Sequence, residues 1–298
     1  MRCQTVCVFL EGDFLPEYQA SALQELADRA PVEISLVVVN TDSCRLRDRS
    51  TGYLLERARS WGPWLPIWAG TKVSRTVKGP PAYDERRHYS TVDALADADV
   101  VQCSPEWEDD VWRSLPDPVV DEIAAEVDVA IRFGFGLLTG RVLEEIECGV
   151  LSFHFGDIRE YRGCIGGIWE FLEGERSAGV TLQQLTDRID GGRIVADDHV
   201  PIYDHDTYGA IKRRQRASVL GDLLVEGMQN LNDPNFEPAV PDSLGVYRST
   251  PTTLEVLRYL RKNTANRIRR GLSGHEDVAA RSRREHLSRE RTDSLEES

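Results

Sequence analysis

Thr5-Val6-Cys7-Val8-Phe9-Leu10 and Ile34-Ser35-Leu36-Val37-Val38-Val39 are two short apolar runs, and a helical pattern over residues 18–30 separates them. Short uninterrupted apolar runs are typical of strands that are buried on both faces. A strand, a helix and a strand in this order predict a parallel sheet. The loop of residues 10–13 lacks the Gly-x-Gly-x-x-Gly pattern of dinucleotide sites, which disfavours a nicotinamide enzyme.

The alternation of strands and helices continues along the chain. Further buried strands are predicted at residues 99–103, 127–133 and 150–154, with helices between them. Residues 179–185 and 193–196 flank a Gly-Gly turn and alternate in side-chain polarity, which predicts an antiparallel pair. The predicted fold class is therefore α/β, with a Rossmann-like, mostly parallel sheet, an antiparallel strand pair, a C-terminal helix and a disordered tail.

Composition divides the chain into three predicted regions. Residues 1–230 are expected to form one catalytic domain, in which residues 61–90 form an irregular insertion that could act as a lid. Residues 231–272 are an extension with an amphipathic basic helix. The apolar positions of this helix are Leu254, Leu257, Leu260, Thr264 and Ile268. Residues 273–298 are charged and nearly devoid of hydrophobic side chains, which predicts a disordered tail.

The chain is strongly acidic, with 50 acidic and 36 basic residues and a net charge of −14. This charge opposes general binding to nucleic acid or anionic lipid. Scarce lysines in an acidic chain favour a halophilic protein, and an acidic protein from an arginine-rich genome is the alternative. Because the sequence has neither a run of about 18 apolar residues nor a leader-like start, we expect a cytoplasmic protein without membrane contact.

The cysteines and histidines show no metal-binding spacing. Six cysteines are scattered without a Cys-x-x-Cys pair: Cys3, Cys7, Cys44, Cys103, Cys148 and Cys164. This pattern fits reduced thiols better than a disulfide framework or a zinc site. His154, His199 and His205 lack any standard zinc spacing, so no metal is expected.

Three polar residues follow predicted strands at positions that suit chemistry. Ser152 and His154 end one strand two residues apart, so their side chains share a face. In open α/β sheets, ligands gather at the carboxyl ends of strands. Asp190 lies in an Asp-Gly-Gly turn after a later strand, where it could orient a histidine and stabilise its protonated form. Alone, each feature is also compatible with a purely structural role.

Together these segments resemble the folate-dependent formyltransferases. Ser152-Phe153-His154 and Tyr161-Arg162-Gly163 are similar to the Asn-x-His and Tyr-Arg-Gly motifs of that family, and residues 187–192 are similar to the turn with its catalytic aspartate. The resemblance covers about residues 95–230. It implies that two loops bind the pterin ring. Their residues here are Phe135, Gly136, Leu137, Leu138, Thr186, Asp187, Arg188 and Ile189.

The resemblance also implies a reaction. An acceptor amine attacks the formyl carbon of 10-formyltetrahydrofolate, and a tetrahedral oxyanion develops. His154 would donate a hydrogen bond or proton to the oxyanion, and Asp190 would hold the imidazole protonated, without a metal. Ser152 stands where the family has asparagine, so it would supply one hydroxyl donor in place of an amide. The usual proline before the Tyr-Arg-Gly is also missing, with Arg159 near its place.

Several functions stay open at this point. Formylation of a small amine, such as an amino sugar on a nucleotide carrier, is the leading hypothesis. Transfer RNA is an alternative acceptor, because the basic helix could contact an RNA backbone. Two further hypotheses are hydrolysis of 10-formyltetrahydrofolate and an inactive homologue that still binds folate. Ser152 favours the inactive homologue. A serine hydrolase is disfavoured because Ser152 is not in a Gly-x-Ser-x-Gly elbow. The oligomeric state is open.

Overall fold

A central sheet organises the computed structural model, which describes residues 3–42, 61–109, 111–217 and 220–273. Its strands are β1 Thr5–Leu10, β2 Glu33–Asn40, β3 Asp99–Cys103, β4 Val129–Arg132, β5 Val150–His154, β6 Ser177–Gln184 and β7 Arg193–Pro201. The α-helices of the described residues are α1 Glu17–Arg29, α2 Leu65–Lys78, α3 Asp117–Glu126, α4 Val142–Glu145, α5 Ile168–Glu173, α6 Tyr208–Ala217, α7 Leu220–Asn232 and α8 Thr253–Ser273.

The strand order of the sheet is β7-β6-β5-β4-β1-β2-β3. Strands β1 to β5 are parallel, and β6 and β7 pair antiparallel at one edge. This arrangement confirms the predicted α/β fold class, with a mostly parallel sheet and an antiparallel strand pair. The order reverses at β1, which has β2 on one side and β4 on the other. The loops that follow β1 and β4 therefore leave a crevice at the carboxyl edge, where open α/β sheets bind ligands.

Successive side chains of β1 point alternately into two separate hydrophobic cores. Val8 and Leu10 lie in the core that contains residues of α1 and α7, whereas Cys7 and Phe9 lie in the core that contains residues of α3. Because helices cover both faces of the sheet, its parallel strands are apolar on both faces. No helix of the described residues is long and apolar enough to cross a membrane.

The prediction of an irregular insertion at residues 61–90 is wrong. Leu65–Lys78 forms a 14-residue helix, and Arg86–His88 pairs antiparallel with Phe14–Pro16. No residue of this helix is fully buried. Its own side chains therefore contribute little to the core, and the residue before the helix contacts the rest of the fold. Trp64, which precedes it, packs on Tyr259 of α8 with 4.8 Å between ring centroids.

The C-terminal helix is present as α8, but its predicted apolar face is wrong. The predicted positions are all exposed: Leu254, Leu257, Leu260, Thr264 and Ile268. The face toward the domain carries Val256, which joins the hydrophobic core, and two buried asparagines. Asn263 Oδ1 accepts a hydrogen bond from the Tyr208 N–H at 3.0 Å, and Asn266 Nδ2 donates to the Asp206 carbonyl at 2.7 Å. Because asparagines occupy part of this face, the stripe of exposed leucines does not identify it.

The end of the chain leaves part of the domain prediction untested. Ser273 is the last residue of α8. Residues 274–298, which make up the rest of the predicted disordered tail, lie outside the described residues. The domain boundaries at residues 230 and 272 stay predictions.

Cys3 and Cys148 form a disulfide bond, so the prediction of reduced thiols is wrong for this pair. Their Cα atoms are 6.5 Å apart although 145 positions separate them in sequence. Local spacing cannot reveal the bond, because the two residues meet only when the strands that follow them enter one sheet. The other cysteines of the described chain are free: Cys7, Cys103 and Cys164. Cys44 lies outside the described residues.

Candidate active site

Strand register brings the predicted polar residues to one edge of the sheet. Ser152 of β5 pairs with Arg132 of β4, and His154 pairs with Thr181 of β6. Ser152 and His154 are 2% and 8% exposed. Thr181 Oγ1 donates a 2.8 Å hydrogen bond to the Gly156 carbonyl, which ties the loop after β5 to the antiparallel strand. The catalytic candidates therefore lie on well-supported strands.

His154 and Asp190 are within hydrogen-bond reach. His154 Nδ1 is 3.2 Å from Asp190 Oδ1, and His154 Nε2 is 2.9 Å from the Tyr161 carbonyl oxygen. Both partners are acceptors, so satisfying them together requires a proton on each ring nitrogen. The geometry therefore favours an imidazolium beside a carboxylate.

The electrostatics of the pair agree with this geometry. Burial alone would lower the pKa of His154, but the hydrogen bond and charge of Asp190 outweigh it and raise that pKa above its ordinary value. Burial likewise acts to raise the pKa of Asp190, but the hydrogen bond and charge of His154 and the Gly163 N–H hold it below its ordinary value. Both pKa shifts favour a charged pair of His154 and Asp190 that can hold and donate a proton.

The Tyr-Arg-Gly segment braces both members of the pair through its main chain. Tyr161–Gly163 is a short strand that pairs in parallel with Val246–Arg248, a strand the sequence analysis missed. Its first carbonyl contacts His154, and the N–H of Gly163 donates to Asp190 Oδ2 at 2.8 Å. Gly163 has φ of 99°, and a Cβ there would lie 2.0 Å from a carbonyl oxygen of the paired strand. Only glycine fits this position.

The predicted residues before Asp190 form a hydrogen-bonded turn. Thr186 Oγ1 accepts from the Arg188 N–H and donates to the main chain, both at 3.3 Å. Asp187 and Arg188 are exposed, and Ile189 is half-buried. Asp190 itself has φ of 46°, in the left-handed region that non-glycine residues rarely adopt. Backbone strain of this kind clusters at functional sites.

The second predicted folate loop follows β4. The Phe135 side chain is fully buried with φ of 70°, and its N–H donates to Glu11 Oε2 at 2.7 Å. Leu137–Leu138 pairs in parallel with Trp112–Arg113. Gly136 is exposed. A ligand in the crevice would therefore meet mainly main-chain atoms of this loop.

Arg132 is a candidate that the sequence analysis missed. Its Nε and Nη2 donate to Ser152 Oγ at 3.2 and 2.9 Å, and its Nη1 donates to the Gly136 carbonyl. Burial lowers the pKa of Arg132 to about 10, against the opposing charges of Asp190 and Glu11. The available signal was a charged residue at the end of an otherwise apolar strand.

Glu170 of α5 is a second missed group. Neither of its buried carboxylate oxygens has a hydrogen-bond partner among the described residues. Burial raises its pKa to about 7, and its negative charge contributes to the raised pKa of His154. Glu170 joins no metal cluster, because within the described part of the chain no group of three or more His, Cys, Asp or Glu could hold a metal ion.

Comparison with known proteins identifies the segment that carries these residues. Residues 108–223 match the family model described as formyl transferase. A methionyl-tRNA formyltransferase of Pediococcus pentosaceus is 27% identical over 122 residues, 40% of this chain and 38% of that protein. One of Macrococcus caseolyticus is 32% identical over 129 residues, 42% of this chain and 41% of that protein. The chain thus spans about two fifths of the length of these curated relatives.

Solved structures with a similar fold align over most of the chain. Glycinamide ribonucleotide transformylase 1 from Symbiobacterium toebii has a TM-score of 0.50 and 18% identity, covering 82% of this chain and 95% of that one. A formyltetrahydrofolate deformylase from Pseudomonas syringae pv. tomato has a TM-score of 0.51 and 15% identity, covering 83% and 66%. These two structures support the fold, and the matched segment contains both His154 and Asp190. Residues 108–223 are therefore similar to a formyl transferase domain, and the curated relatives that match this chain are formyltransferases.

Proposed function

We propose that this protein transfers a formyl group from 10-formyltetrahydrofolate to an amine of a small acceptor. The observation that carries the proposal is the buried pair of His154 and Asp190, with both ring nitrogens of His154 next to acceptors. Attack on a formyl carbon produces an oxyanion, and a preorganised donor in a site of low polarity stabilises it strongly. The family match supplies the reaction class.

The two ring protons of His154 have different roles in this reaction. The Nδ1 proton faces the Asp190 carboxylate, whereas the Nε2 proton faces the neutral carbonyl of Tyr161. A charged acceptor holds a proton more strongly than a neutral one. The Nε2 proton is therefore the one that His154 can donate to the oxyanion.

The protons lost and gained balance over the reaction. The acceptor nitrogen forms a bond to the formyl carbon, and the carbonyl becomes the oxyanion. When the intermediate collapses, the bond from the formyl carbon to the folate N10 breaks, and His154 gives its Nε2 proton to N10. The pair of His154 and Asp190 then takes up the proton that the acceptor nitrogen loses, so the imidazolium is restored.

Transfer RNA is a second candidate acceptor, because the curated relatives are methionyl-tRNA formyltransferases. Helix α8 also contributes Arg258, Arg261, Lys262 and Arg269 to an open cavity of about 680 Å³. The net charge of −14 opposes a broad RNA surface, so the small acceptor is the leading candidate. We also infer from this charge and the scarcity of lysine that the enzyme is adapted to high salt.

Calorimetry on the full chain tests the proposal. The protein is titrated with a stable analogue of 10-formyltetrahydrofolate, alone and with a panel of amines and amino sugars. In a separate reaction, the donor is 10-formyltetrahydrofolate labelled with carbon-13 in its formyl group, and NMR follows that carbon. A formamide that appears only with an amine supports transfer, and formate produced without an amine supports hydrolysis instead. Failure to bind any folate contradicts both activities.

A further inference from the structure

Arg132 brings a positive charge to the site and has no ion-pair partner among the described residues. In the described parts of the chain, no carboxylate oxygen lies within the 4.0 Å ion-pair limit of its guanidinium. The charges of Asp190 and Glu11 act on it from farther away. Desolvation lowers the pKa of Arg132, yet the residue is half-buried rather than buried, so part of it stays accessible to a ligand.

The hydrogen bonds of Arg132 leave part of its guanidinium free. A guanidinium has five N–H groups. Three of them are used, two on Ser152 Oγ and one on the Gly136 carbonyl. Two therefore remain, and no described residue accepts from them. Ser152, by contrast, is only 2% exposed, and its oxygen accepts both bonds from Arg132. Arg132 is better placed than Ser152 to contact a ligand.

We propose that Arg132 is a catalytic residue whose two remaining N–H groups donate to the oxyanion, and that Ser152 is a positioning residue that fixes the guanidinium. This inference rests on the proposed formyl transfer and deepens it. A primary amide would offer two N–H groups without a charge, whereas the guanidinium adds a positive charge to the same number of donors. The role first expected for Ser152 then belongs to Arg132.

The test measures binding, so it needs no acceptor. The probe is a folate analogue that has carbon in place of N10 and carries an aldehyde, which hydrates to a gem-diol and imitates the tetrahedral intermediate. A matched analogue lacks the aldehyde. Calorimetry on the full chain gives the ratio of the two Kd values, which isolates the contribution of the tetrahedral oxygen atoms. The variants are Arg132→Met, Arg132→Lys, Ser152→Ala, the Arg132→Met/Ser152→Ala double variant and, as an exposed control, Arg193→Met.

We expect Arg132→Met to lower the preference for the aldehyde analogue roughly tenfold to a hundredfold, as for a lost bond to a charged group. Ser152→Ala should lose less, and the double variant should equal Arg132→Met, because Ser152 acts through the guanidinium. Arg132→Lys keeps the charge but lacks the paired N–H groups of the guanidinium. It should recover part of the preference for the aldehyde analogue. It also serves as the comparison if Arg132→Met does not fold, which thermal unfolding shows. Arg193→Met should change nothing.

An unchanged preference in the Arg132 variants overturns the inference, and so does a further loss when Ser152→Ala is added to Arg132→Met. In both cases the wild type still binds folate, so the proposed function is not contradicted. A wild type that binds neither analogue refutes the proposed function and this inference together.

Discussion

Replacing Asp190 by asparagine should convert His154 from a protonated to a neutral imidazole at neutral pH. In the wild type, the hydrogen bond and charge of the carboxylate outweigh the burial of the ring and raise its pKa. Asparagine keeps the shape but removes the charge. Burial, the largest single influence, then prevails and moves the pKa of His154 below its ordinary value.

The structure sets the size of this effect. An asparagine that turns its oxygen to His154 points its amide at the Gly163 N–H, which now donates to the carboxylate at 2.8 Å. One donor loses its acceptor, at a cost of about 1–3 kcal/mol in the free energy of unfolding. Loss of the imidazole proton donor should lower kcat by about 10²- to 10⁴-fold. The Kd for folate should change far less.

The assay follows the ring protons of His154 by NMR and the formyl transfer rate over the same pH range. A pKa raised in the folded state gives stability that is complete below the unfolded value of about 6.5 and is lost as pH rises through the folded value. Wild-type kcat should fall over that same rise, and Asp190→Asn should move the fall to lower pH. Asp204→Asn, an exposed carboxylate, is the control. The reasoning is refuted if His154 in Asp190→Asn titrates at or above the wild-type pH.

Two other features give predictions that thermal unfolding can check. Gly163→Ala should destabilise the fold by about 2–4 kcal/mol, because its Cβ would meet a carbonyl and φ is positive. Gly70→Ala in α2 meets nothing within 4 Å and should be neutral or stabilising by up to about 1 kcal/mol; equal losses in both variants would contradict the argument. The Cys3→Ser/Cys148→Ser variant should lose about 2–5 kcal/mol, whereas Cys164→Ser should lose little. A wild type whose Tm does not respond to a reductant would show that the bond does not form.

The sheet could be predicted from the sequence because its strands are apolar on both faces. Strands β3 and β5 have the predicted bounds, and the antiparallel pair at β6 and β7 followed from alternating polarity. Helix α2 was not predicted, and the buried face of α8 was misplaced because two asparagines share that face with Val256.

The sequence predicts which residues form the site, but not the hydrogen bonds that hold them in place. Motif order was enough to expect that His154 and Asp190 would meet. The groups that brace them are a carbonyl and an N–H of the main chain, which no side-chain pattern reveals. The contact of Arg132 with Ser152 depends on the register of two strands far apart in sequence. The disulfide between Cys3 and Cys148 is hidden for the same reason.

Single-turnover formyl transfer by the wild type and His154→Ala tests whether His154 is the proton donor of the reaction. The protein is loaded with carbon-13-labelled 10-formyltetrahydrofolate and mixed, under high salt, with the amine that calorimetry selects. We expect a formamide from the wild type and a rate at least about 10²-fold lower from His154→Ala, with a similar folate Kd in both. Equal residual rates in two proteins that both bind folate tightly would contradict this expectation and leave a folate-binding protein without transferase activity.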